Sequence, residues 1–115
     1  MLKCVLEEFL QIEGVATAAL IARDGFLIEY VGNEPTDKDA LAVLGSCAME
    51  FFSRVGSTLH RGNVRQFVSE HDDGAIMFTK ISDDEYLVII TGKRTTAGHL
   101  THILPKICSR ITAVM

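Results

Sequence analysis

The segment that most constrains this chain is a run of eight residues without a charge, Val15–Ala22 (VATAALIA). Arg23 follows, then Asp24-Gly25, then a second apolar run, Phe26–Val31 (FLIEYV). Two apolar runs flanking an Asp-Gly pair are the strongest short-range signal for a β-hairpin, because the turn needs residues that tolerate positive φ. The first run shows no polar alternation. A strand of that kind belongs in the middle of a sheet with both faces covered.

The rest of the chain supplies the cover. Leu2, Val5, Leu6, Phe9, Leu10 and Ile12 recur at helical spacing, which predicts a first helix over residues 2–13 ended by Gly14. A loop at Gly32–Pro35 leads to Thr36-Asp37-Lys38-Asp39, which resembles a capping box with Thr36 as the cap, and a long second helix over residues 37–59. Val64–His71 reads as a strand of mixed polarity, Asp72–Gly74 as a turn, Ala75–Ile81 as a strand, Ser82–Asp84 as a turn and Glu85–Thr91 as a last strand. Thr95 or Thr96 caps a final helix towards Met115, which Pro105 must kink or divide. The order is helix, two strands, helix, three strands, helix, with no repeat and no linker. The expected fold class is α/β in the broad sense, more narrowly α+β: one domain over residues 1–115, a five-stranded antiparallel sheet with helices on both faces.

The second helix is more apolar than one sheet requires. On a helical wheel at about 100° per residue, Leu41, Leu44, Gly45, Ala48, Phe52, Val55 and Leu59 form one stripe, read as the face packed on the sheet. Ala40, Cys47 and Phe51 extend the apolar surface on one flank, and Ala42, Met49 and Gly56 on the other. The polar remainder is narrow: Asp39, Ser46, Glu50, Ser53, Arg54 and Ser57. Either loops of the same chain cover the excess, or a partner helix does, most simply the same helix of a second copy. Gly45, Ala48 and Gly56 would let two backbones come close. The expected dimer interface is Ala40, Cys47 and Phe51, together with Val64, Gln66 and Val68 of an edge strand that pairs with its twin. The polar strip of such a dimer then forms a doubled platform for a further protein: Ser46, Glu50, Ser53, Arg54 and Ser57, with Met49 or Phe51 as an apolar anchor.

Nothing in the sequence points to chemistry. The 115 residues carry a formal net charge of −4 and no Lys/Arg cluster, which argues against nucleic acid as a partner. Cys4, Cys47 and Cys108 lie far apart in apolar stretches, without metal-ligand spacing, and read as buried thiols of a cytoplasmic protein. Glu7, Glu8 and Glu13 interrupt the N-terminal apolar residues, against a signal peptide, and no apolar run reaches membrane-spanning length. There is no phosphate-binding glycine loop, no GxSxG and no HExxH. His99 and His102 have helical spacing but no further ligand near them, and Asp72-Asp73 and Asp83-Asp84 are explained by turn chemistry. Arg54, Arg61 and Arg65 read as solvated cations. No cofactor, metal or catalytic residue is expected.

Residues 6–29, L-x-x-F-L-x-I-x-G-V-x-x-A-A-L-I-A-R-D-G-F-L-I-E, resemble the opening of Roadblock (dynein light chain) domains. The long second helix with Ala40, Leu41, Ala42 and Leu44, the meander ending in EYLVIIT, and Thr96–Leu100 at the head of the last helix continue the resemblance over essentially the whole chain. Pro105 departs from it. The resemblance implies a five-stranded antiparallel sheet with the second helix on one face and the first and last helices on the other. It also implies dimers made through the second helix and third strand, no catalytic residues, and a role as a homodimeric regulator or scaffold for a Ras-like small GTPase, including stimulation of GTP hydrolysis. The alternative is a small-molecule sensor or a signalling-complex scaffold not directed at a GTPase. A sensor needs a hollow core with convergent polar groups, whereas these strands are filled with Ala, Val, Ile and Leu.

Overall fold

The strand β1 (Val15–Ala22) lies inside a sheet, paired on one side with β2 (Leu27–Gly32) and on the other with β5 (Glu85–Thr91). In the computed structural model the described residues are 2–12, 14–32 and 37–92. The Asp-Gly turn closes as its sequence dictates. The Ala22 N–H donates to the Phe26 carbonyl (2.7 Å) and the Gly25 N–H to the Ala22 carbonyl (3.0 Å), with Gly25 at φ +95°. With β3 (Gln66–His71) and β4 (Gly74–Lys80) the sheet is five-stranded and antiparallel throughout, in the order β2-β1-β5-β4-β3. The last strand of the meander returns to the centre and pairs Ala18 with Ile89 and Ala19 with Val88.

Alternation along β1 sorts the core into two layers, because successive side chains point to opposite faces. Ala18 and Leu20 join Met77, Leu87 and Ile89 beneath Val5, Leu6 and Phe9 of the N-terminal segment. Ala19 and Ile21 join Phe78, Tyr86 and Val88 beneath Ala42 and Met49 of the second helix, α2 (Lys38–Thr58). Helices therefore sit on both faces, as the continuous apolar run requires.

Several boundaries differ from those read in sequence. The first helix is α-helical only over Leu2–Glu7 (α1), then tightens to a 3₁₀ turn at Glu8–Gln11 that carries Phe9 into the core, and Gly14 turns the chain at φ +94°. The cap of α2 is Asp37, one residue beyond the expected Thr36: its carboxylate accepts from the Ala40 N–H at 3.1 Å. Thr36 lies outside the described residues. Strand β3 begins at Gln66, two residues later than read, and β4 at Gly74, one residue earlier. Cys4 and Cys47 are exposed, not buried: Cys4 lies on the outward side of α1 with Lys3 and Glu7, and Cys47 on an outward flank of α2. The expected final helix, with His99, His102, Pro105 and Cys108, lies outside the described residues.

Candidate protein interaction surface

Of the large apolar residues of helix α2, Met49 is the fully buried one. Ala42, Gly45 and Met49 are the buried positions, while Leu44 (66% exposed), Phe51 (61%) and Leu59 (61%) face water, and Phe52 and Val55 are only partly covered. The stripe read from sequence as the sheet face is thus largely the outer one, and the flank Ala42–Met49 is the inner one. The physical reason is distance. A Cβ at Gly45 would stand 2.6 Å from Ile21 Cδ1 and 3.1 Å from Phe78 Cε1, so the helix lies too close to the sheet for Leu or Phe between them.

The outward apolar residues continue sideways to the sheet edge. Among the described residues strand β3 is hydrogen-bonded to β4 alone and is an edge, as its mixed polarity suggested. A groove of about 440 Å³ runs between it and α2, lined by Leu41, Leu44, Ala48, Phe52, Phe67 and Phe78 among others. A chain of rings crosses it: Phe51 to Phe52 edge-on at 5.4 Å, Phe52 to Phe67 at 4.4 Å, and Phe67 stacked on Phe78 at 4.7 Å. Of the residues expected at a dimer interface, Cys47, Phe51 and Gln66 are exposed, and Val68 is 37% exposed. Ala40 is half-buried, and Val64 packs partly against the core beneath α2.

The polar flank of α2 faces the opposite way, towards the turns joining β1 to β2 and β4 to β5. Glu50 and Arg54 pair across one helical turn at 3.5 Å, both well exposed, which is worth little in stability. They share a crevice of about 260 Å³ with Ser53, Ser57, Asn63 and Lys80, and Lys80 is held by Asp83 at 3.0 Å. Ser46 is half-buried, and its hydroxyl donates to the Arg23 carbonyl. Met49 corrects the expectation of an apolar anchor: at 1% exposure it belongs to the core and cannot reach a partner. Arg23 and Lys80 were not singled out in the sequence. The signal was the antiparallel pairing of the two runs either side of the turns, since Ala22 stands opposite Glu85 and brings both turns to one end of the sheet.

What this surface can do is bind. Among the described residues no group of three or more His, Cys, Asp or Glu side chains is placed to hold a metal ion, and no helix is long and apolar enough to cross a membrane. Its assets are exposed aromatic and aliphatic groups on a rigid helix, a polar rim and an open sheet edge.

Comparison with curated proteins returns no match. Solved structures share the fold closely at low identity. A Roadblock/LC7 domain from Streptomyces avermitilis superposes with a TM-score of 0.88 at 20% identity, over 97% of this chain and 95% of that one. MglB of Myxococcus xanthus gives 0.90 at 18%, over 98% and 93%. The gliding protein MglB of Thermus thermophilus gives 0.87 at 20%, over 99% and 90%. The family model described as the Roadblock/LC7 domain matches residues 1–91. With four-fifths of its sequence matched and its sheet order, helix placement and hairpin in agreement, this chain belongs to the Roadblock/LC7 domain family.

Proposed function

We propose that residues 1–115 form one non-catalytic domain that acts as a cytoplasmic homodimer, regulating or scaffolding a Ras-like small GTPase. The observation that carries the reading is the outward apolar face of α2, continuous through the ring chain Phe51-Phe52-Phe67 with the open edge of β3. Two copies related by a two-fold axis would cover it, helix against helix and strand against strand, through Ala40, Phe51, Val64, Gln66 and Val68. The polar flanks, with Ser46, Glu50, Ser53, Arg54 and Ser57, would remain open as a doubled platform. Catalytic help to the partner would come from ordering its own switch loops, because the platform's one strong cation on α2, Arg54, is paired with Glu50 on the same helix.

The test uses purified Ras-like GTPases loaded with a non-hydrolysable GTP analogue. Exchanging the charges in Glu50→Arg/Arg54→Glu abolishes binding while the oligomer persists. Arg54→Ala alone weakens binding modestly and leaves most of any stimulated hydrolysis intact at saturating protein. A loss of roughly 10³-fold in hydrolysis with binding unchanged, as for a missing arginine finger, overturns this mechanism. Undiminished binding by the double variant moves the site off this helix.

A further inference from the structure

We propose that the hollow between the β1–β2 turn and the middle of α2 docks an acidic segment of the partner protein, with Arg23 taking a carboxylate and Cys47 an apolar neighbour. This rests on the reading of α2 as a partner platform and names what that platform recognises. The hollow measures about 470 Å³ and is lined by Arg23, Ser46, Cys47, Glu50, Phe51 and Arg54.

Its charge is opposite in sign to that of the whole. The chain carries −4, yet this hollow holds two guanidiniums against one carboxylate. Arg54 lies 3.5 Å from Glu50, and no ion pair engages Arg23 among the described residues. One positive charge is therefore free to meet a ligand. Asp24, Asp84 and Glu85 share a neighbouring hollow with Arg23 without coming into ion-pair range, so an anion reaches Arg23 from the α2 side, where the one carboxylate, Glu50, is paired with Arg54. The exposed Cys47 supplies the apolar side of the hollow, and Phe51 borders it towards the proposed two-fold contact. An acidic side chain beside an aliphatic or aromatic one matches that combination, and a basic segment does not.

Arg23 is also held ready. Its N–H donates to the Asp84 carbonyl at 2.8 Å and its carbonyl accepts from the Ser46 hydroxyl, so the residue is tied to the β4–β5 turn and to α2. Neither bond uses the side chain. A backbone fixed in this way lowers the ordering cost of binding.

Cys47 is a built-in reporter. In the full chain with Cys4→Ser and Cys108→Ser, the neutral disulfide 4,4′-dithiodipyridine titrates the Cys47 thiol. The probes are two blocked pentapeptides, Glu-Leu-Asp-Phe-Glu and Lys-Leu-Lys-Phe-Lys. At about 5 mM the acidic peptide slows the reaction about twofold or more, the occupancy of a millimolar site, and the basic peptide does not. Arg23→Ala removes the protection, read as the ratio of the rates with and without peptide for each variant, and Arg23→Lys keeps part of it. Equal slowing by both peptides, no slowing by either, protection that survives Arg23→Ala, or a thiol that is unreactive in the native protein each overturns the proposal. No GTPase enters the experiment. Failure of the platform reading with a GTPase therefore leaves this result standing, and failure here leaves the Glu50/Arg54 result standing.

Discussion

Gly45 decides how α2 sits. The missing side chain lets the helix approach Ile21 and Phe78 to a distance at which any Cβ would crowd both. Gly45→Ala adds helix propensity worth about 1 kcal/mol but forces Ile21 and the Phe78 ring aside, at a typical 1–3 kcal/mol for overpacking. The expected outcome is a net loss of roughly 1 kcal/mol, read as a lower urea midpoint at unchanged slope. Asp37→Ala should cost about 1 kcal/mol for the lost cap, measured the same way, whereas a cap at Thr36 would make that change neutral. Both positions show how far single residues could be read. The sequence signalled a cap within one residue, because Asp and Thr serve equally well there. It misassigned the inner face of α2, because a wheel weighs side chains by apolarity, and the close approach at Gly45 turns the flank of Ala42 and Met49 inward. The same error placed Met49 in a partner's reach.

Among the elements, the hairpin was legible almost to the residue, and β5 entirely so, since local pattern and turn chemistry agree there. The edge strand was legible in place but not in length. Val64 and Arg65 look strand-like, yet the register with β4 runs from Gln66 opposite Thr79 to His71 opposite Gly74, with one further bond from the Lys80 N–H to the Arg65 carbonyl. Helix α2 and β3 carry the predictions about assembly. Phe51 is exposed in the single chain, so Phe51→Asp should leave the fold intact and convert a dimer to a monomer, by sedimentation velocity at micromolar concentration. A wild-type protein already monomeric there would remove the basis of the two-fold model. Amides along β3 alternate between those bonded to β4 and those pointing outward. Pairing with a twin predicts slow hydrogen exchange at both sets, and fast exchange along the outward set counts against it.

For the molecule as a whole, sequence order conceals what the sheet brings together. Strand β1 pairs with β5 from Val15 opposite Thr91 to Ala22 opposite Glu85, which sets the turns at Asp24-Gly25 and Asp83-Asp84 side by side under α2. The platform is therefore built from three separate stretches of sequence, and only the helical stretch announced itself. Arg23 sits where they meet, and its two structural bonds are made by main-chain atoms. Identity at this position is thereby uncoupled from foldedness: the chain asks for a residue here but not for any one residue. A library of all substitutions at position 23 should show thermal midpoints clustered near wild type, the spread within about 0.5 kcal/mol. Proline alone should fall out, because it has no N–H for the Asp84 carbonyl. Such a site can be rewritten freely. A lineage could exchange one binding preference for another here by single steps, each variant still folded, with no compensating change anywhere else in the chain.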